Sequence, residues 1–188
     1  MKEGIRIAAI TTGPIGRGSM RESGKRTLLI GVIGTAKGVE GVLSTSVVID
    51  GTDSTRKIIN MIKKSRFGEQ VRIVAFNGIA LAGLNIIDIK KINKELSART
   101  IVITRHKPRP ALMIRALRAL GRGTDAKISD RIKLLKSQKK SMRSGGFYIQ
   151  GYMDASDTKR VLKAALELLR LSHIISSGVS RGESKGRI

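Results

Sequence analysis

Between Arg105 and Arg143 the chain carries thirteen basic residues: Arg105, Lys107, Arg109, Arg115, Arg118, Arg122, Lys127, Arg131, Lys133, Lys136, Lys139, Lys140 and Arg143. Only two acids, Asp125 and Asp130, lie among them. Cations at that density can neutralise a row of phosphates and release the counterions condensed on it, which makes these residues candidate nucleic-acid contacts. The stretch supplies +11 of a formal charge of +23, set by 37 Lys plus Arg against 14 Asp plus Glu. A charge of that size repels itself unless a polyanion neutralises it. A solvated face serving solubility would show the same residues on a single helix, but the chain-wide excess favours nucleic acid. Acidic membrane surfaces also attract cations, yet surface binding adds bulky aromatic or leucine insertion, and aromatics here are 3%.

Other chemistries are bounded by what the chain holds. With no cysteine and two histidines there is no thiolate zinc site and no all-histidine metal centre, so any metal must be held by oxygen. Two glycine-rich basic loops, Gly13-Pro14-Ile15-Gly16-Arg17-Gly18 and Gly178-Val179-Ser180-Arg181-Gly182, allow backbone N–H groups to approach phosphate, although ordinary turns use the same glycines. Neither is a nucleoside-triphosphate loop, because Gly24-Lys25 is followed by Arg26 and Ser19 stands where the first glycine belongs. No zinc finger, basic zipper or aromatic RNA-recognition strand is present, so phosphate and shape contacts to DNA or structured RNA are expected to dominate. The tail adds Arg181, Lys185 and Arg187 to the candidate contacts.

The elements that must position these residues follow from period and punctuation. Ile5 to Thr11, Lys25 to Ala36 and Gly38 to Asp50 read as three antiparallel strands. Asp53-Ser54-Thr55 offers N-cap chemistry for a helix through Ile58, Ile59, Ile62 and Arg66, and Val71 to Phe76 reads as a buried strand. Asn85 opens a helical pattern through Ile89, Ile92 and Leu96, before a strand from Thr100 to Thr104. After Pro108 and Pro110, Met113, Ala116, Leu117 and Leu120 form an apolar seam with Arg115, Arg118 and Arg122 opposite. A second short helix buries Ile128, Ile132 and Leu135, flanked by Lys127, Arg131, Lys133 and Lys136. Gly145-Gly146 mark a turn, Phe147 to Met153 a strand, and Thr158 to Leu171 an amphipathic helix. The order predicts an α/β fold of ribonuclease H-like type, a mixed sheet with helices on both faces. One domain, residues 1–171 including the basic segment 105–143, is expected to carry a basic tail, 172–188. No apolar run approaches the ~20 residues of a membrane span. The first residues lack the sections of a secretory signal, so the cytoplasm is the expected compartment.

The string Gly178-Val179-Ser180-Arg181-Gly182-Glu183-Ser184-Lys185-Gly186-Arg187, with Asp50-Gly51-Thr52-Asp53 and Asn85-Ile86-Ile87-Asp88-Ile89, resembles the archaeal endonuclease dU family over nearly the whole chain. That family is related to endonuclease V. The resemblance implies a ribonuclease H-like fold and an ancestry in metal-dependent cutting of DNA that carries deaminated bases. It also implies an acidic pair at the end of the first strand, where this chain has Thr11 and Thr12, and an Asp where it has Asn77. Asp50, Asp53, Asp88 and Glu183 remain as carboxylates, and His173 stands in the family's histidine position, suited to a phosphate contact or general acid.

Two-metal cleavage needs several carboxylates around ions roughly 3.5–4 Å apart, and threonine and asparagine are weaker, neutral ligands. The expectation is a binding protein on a nuclease fold, without catalysis and without a cofactor. The alternative is an active endonuclease holding Mg²⁺ or Mn²⁺ on Asp50, Asp88 and Glu183, which requires those carboxylates to converge. A third reading is a structural part of a ribonucleoprotein assembly such as the ribosome, its basic segments ordered by RNA.

Overall fold

A computed structural model describes residues 4–16, 22–120 and 126–184. Its centre is a seven-stranded sheet in the order β3-β2-β1-β4-β7-β9-β8. The three leading strands are β1 (Arg6–Thr12), β2 (Arg26–Thr35) and β3 (Gly38–Val48). They form an antiparallel meander, as their β-branched runs predict. The chain then crosses over through helix α1 (Ser54–Lys63) to β4 (Val71–Phe76), parallel to β1. A small hairpin, β5 (Ala80–Leu81) with β6 (Asn85–Ile86), stands apart from the sheet. Helix α2 (Ile89–Leu96) leads to β7 (Arg99–Thr104), parallel to β4. Helices α3 (Pro110–Leu120) and α4 (Ala126–Lys136) follow, then the hairpin β8 (Met142–Ser144) and β9 (Phe147–Gly151), whose second strand runs antiparallel to β7. Helix α5 (Ala155–Arg181) completes the order.

Strand alternation splits the core between the two faces of the sheet. Ile7 and Ala9 of β1, Ile73 and Ala75 of β4, and Ile101 and Ile103 of β7 pack with Val161, Leu162, Ala165, Leu168 and Leu169 of α5. Their neighbours Ala8, Ile10, Val74, Phe76 and Val102 turn to the other face, where α1 and α2 contribute Ile58, Ile62, Ile89 and Ile92. Leu117 of α3 and Ile128 and Leu135 of α4 join that second cluster, which seats the basic hairpin on one side of the sheet.

Several boundaries differ from the sequence reading, each for a physical reason. Asn85 lies in β6 and does not open a helix. Its amide is fully buried, accepting from Ser54 N at 3.2 Å and donating to the Val48 carbonyl at 3.0 Å and to Asp53 Oδ1 at 2.9 Å. It therefore serves the first turn of α1 from 31 positions away, while Asp53 turns its carboxylate to Val48 N and Asn85 and makes no side-chain cap. The helix after Asn85 begins instead at Asp88, which caps α2 by accepting from Lys91 N at 2.9 Å.

Gly145 and Gly146 both take positive φ, 55° and 82°, the conformation of a two-residue hairpin turn, and so pair β8 with β9. The pattern ending at Leu171 continues unbroken to Arg181, so the Gly178 segment is helical and not a loop. Asp154 caps α5, and the Asp157 backbone N–H and the Ser156 hydroxyl hold its carboxyl below the usual carboxylate range.

Candidate nucleic-acid interface

The apolar seams of α3 and α4 decide which cations face outward. Leu117 is buried and Met113, Ile114 and Leu120 are half-buried, which leaves Arg115 and Arg118 exposed on α3. Ala116, expected in the seam, is exposed instead. On α4, burial of Ile128 and Leu135 leaves Lys127, Lys133 and Lys136 exposed, with Lys133 Nζ 3.5 Å from Asp130. Arg105, Lys107 and Arg109, on the approach to α3, are exposed as well, as are Lys139, Lys140 and, on β8, Arg143. Lys139 sits 4.4 Å above the Tyr152 ring, which steadies one ammonium beside the hairpin. Arg181, at the end of α5, is exposed; Arg122, Lys185 and Arg187 lie outside the described residues.

Arg131 corrects the pattern. It was expected on the basic stripe, but it is 7% exposed. Its guanidinium donates to the backbone carbonyls of Asp50 at 2.7 Å and Leu84 at 3.2 Å, fastening α4 to the loops after β3 and before β6. Replacing Arg131 with Ala is expected to lower stability by about 2 kcal/mol, through charge-assisted bonds lost and carbonyls left unpaired. The salt dependence of nucleic-acid binding should not change, because the guanidinium is committed to the protein. A denaturant melt alongside a salt titration of binding separates the two effects, and a shallower salt slope would place Arg131 at the phosphate interface after all.

The remaining site candidates sit around the carboxyl end of the sheet. Thr11, 6% exposed, shares a hydroxyl–hydroxyl hydrogen bond of 2.8 Å with Ser172 of α5 and lies 3.5 Å from the Ser176 hydroxyl. Ser172 donates to the Ile30 carbonyl and Ser176 to the carbonyls of Thr12 and His173. Thr12 Oγ1 accepts from Ala82 N at 3.4 Å. The end of β1 is thus stitched to α5 by neutral hydroxyls already engaged with one another and with backbone carbonyls. The sequence signal is the spacing of Ser172 and Ser176, four residues apart on one face of a helix that continues past Leu171. Asn77, just past β4, is exposed, and His173 is half-buried.

The carboxylates do not gather. Asp50 adopts a left-handed backbone, φ 56°, and its Oδ1 accepts from Leu84 N at 2.8 Å while its buried Oδ2 has no hydrogen-bond partner. Asp88 is spent on its cap and Glu183 is exposed beyond α5. Among the described residues no three of His, Asp and Glu are close enough to hold a metal ion, so the convergence of Asp50, Asp88 and Glu183 that a reduced metal site requires is not found there. The donors at the ends of β1 and β4 are hydroxyls and an amide, a set that does not fit a pair of divalent ions.

Among the described residues no helix is long and apolar enough to cross a membrane. The sequence matches the profile of the endonuclease dU family over residues 3–180. It is 35% identical to a UPF0215 protein of Pyrococcus horikoshii, over 98% of this chain and 97% of that one. It is 31% identical to a UPF0215 protein of Archaeoglobus fulgidus, over 87% and 91%. The fold resembles the crystal structure of a protein of unknown function from Archaeoglobus fulgidus, with a TM-score of 0.80 at 28% identity over 93% and 98% of the two chains. It also resembles the catalytic domain of human endonuclease V, with a TM-score of 0.57 at 12% identity over 96% and 84%, a likeness of fold. With a central sheet of mixed direction between helices and a match spanning nearly its whole length, the chain belongs to the endonuclease dU family and has a ribonuclease H-like fold.

Proposed function

We propose that this chain is a nucleic-acid-binding protein on an endonuclease fold, which holds DNA or structured RNA chiefly by phosphate contacts along the α3–α4 hairpin and its approaches, and does not cut it. The observation that carries the reading is the exposure of Arg105, Lys107, Arg109, Arg115, Arg118, Lys127, Lys133, Lys136, Lys139, Lys140 and Arg143 on one continuous stretch of chain. Exposed cations at that density offer phosphates many partners and little that reads base edges. The neutral hydroxyl stitch at the end of β1 supports the non-catalytic half of the proposal, since a charged metal pair needs carboxylates.

A second reading is a metal-dependent endonuclease acting on DNA with deaminated bases, favoured by family membership and by the buried, unpartnered Oδ2 of Asp50. One gel assay separates the two, using matched DNA and RNA, intact or with deaminated bases, with and without Mg²⁺ or Mn²⁺. Retention without cleavage is expected. Metal-dependent cleavage that disappears in Asp50→Asn would establish the enzyme, and no retention at low salt would remove the binding proposal altogether.

A further inference from the structure

The basic hairpin leaves a second feature of the surface unused. Where β4 and β7 end and β9 begins, against the middle of α5, lies a cleft of about 610 Å³. That volume falls within the roughly 300–1,000 Å³ of sites that enclose a small organic group. Its apolar wall is built by Ile103, Leu169, Leu166 and the half-buried Phe147. Its rim carries Arg105 and His106 from the segment leaving β7 and Arg170 from α5, all exposed. Two hydrogen-bonding side chains complete the lining, the Asn77 amide and the Glu167 carboxylate. The turn that carries Arg105 and His106 is fixed by Thr104, whose hydroxyl donates to the His106 carbonyl at 2.9 Å.

The mixture narrows the ligand. An aromatic ring beside aliphatic side chains favours a flat apolar body that can stack. Guanidinium and imidazole groups at the mouth favour an anion, phosphate above all. Asn77 and Glu167, both exposed, can meet the edge of a nucleobase, which offers donors to a carboxylate and both donors and acceptors to an amide, whereas a free phosphate offers no flat body to the apolar wall and is repelled by Glu167. We infer that the cleft takes one unpaired nucleotide, its base against Phe147 and its phosphate toward Arg105, His106 and Arg170. This rests on the nucleic-acid reading above and deepens it, because a base reaches such a cleft only when it is single-stranded or turned out of a duplex. Arg105 lies at the mouth of the cleft on the α5 side of the sheet and begins the run of chain through Lys107 and Arg109 to α3 on the other side.

The test is fluorescence anisotropy with a labelled single strand of about 12 nucleotides and with the same sequence as a duplex, at one fixed moderate salt concentration. Phe147→Leu is expected to weaken single-strand binding about tenfold and duplex binding less than about twofold. Arg170→Ala, on an exposed position that folding does not need, should weaken the single strand about threefold or more. Adenosine monophosphate added as competitor separates the sources. Displacement of the strand at about millimolar concentration, lost in Phe147→Leu, marks a site for the nucleotide itself. No displacement, with the Phe147→Leu and Arg170→Ala losses in place, marks a site for a nucleotide within a strand. Unchanged single-strand affinity in both folded variants overturns the inference, as does an equal loss on the duplex. Failure of the wild-type chain to bind either form at low salt would instead overturn the broader proposal.

Discussion

Raising the salt from about 50 mM to about 200 mM is expected to cost this chain roughly three to five decades of affinity for duplex nucleic acid. The slope of log affinity against log salt is about −0.9 per phosphate neutralised on B-form DNA, and about six to ten contacts suffice for a loss of that size. The exposed cations between Arg105 and Arg143 can supply them without help from the rest of the surface. Replacing Arg115, Arg118 and Arg122 with Ala should shallow the slope by about two to three, while thermal stability stays nearly constant because Arg115 and Arg118 are exposed. A salt titration by anisotropy reads both quantities. A folded triple variant with the parent slope would move the interface off the hairpin, and a parent slope near zero would refute phosphate binding as the main term.

Gly151→Ala is expected to lower stability by about 3 kcal/mol or more, combining backbone strain with overpacking. Gly151 has φ 146°, and a Cβ there would lie 2.1 Å from the Thr100 carbonyl oxygen and 3.0 Å from Ile101 Cα. Both neighbours are backbone of β7, in the middle of the sheet, so neither can swing aside. For a chain of this size the loss corresponds to a fall of about 6–12 °C in Tm. Gly178→Ala supplies the opposite sign. This glycine lies inside α5 with nothing within 4 Å of the added carbon, so the better helix former should raise stability by about 0.5–1 kcal/mol. Equal effects from the two substitutions would mean that β9 does not approach β7 as closely as the fold requires.

The parts of this architecture that announce themselves in the sequence are those whose cause is local. The three leading strands, β4 and β7 were legible because β-branched runs between glycines have few other uses. The outward cations of α3 and α4 were legible because each helix has its own apolar seam. Asn85 was misread because its work is done 31 and 32 residues away, at Ser54 and Asp53. Arg131 was misread because a loop from another element, and not the period of α4, decides what covers it. Strand β8 has three residues, Met142–Ser144, none of them β-branched, and only its pairing with β9 makes it a strand. The hydroxyl stitch and the cleft share one obstacle. Each is assembled from elements far apart in the chain, and periodicity carries no information about which ends meet.

The union of β1 with α5 joins positions 161 residues apart, Thr11 and Ser172. The middle of one face of the sheet is covered by this single helix, through Val161, Leu162, Ala165, Leu168 and Leu169. During synthesis, at about 5–20 residues per second, Ile7 and Ala9 therefore stay uncovered for roughly 8–30 seconds after they are made, until α5 arrives. Closure at such long range is intrinsically slow, and an open apolar sheet face is the kind of surface on which nascent chains stick to one another. The same surplus of positive charge that suits the folded protein to a polyanion holds its half-built copies apart while they wait.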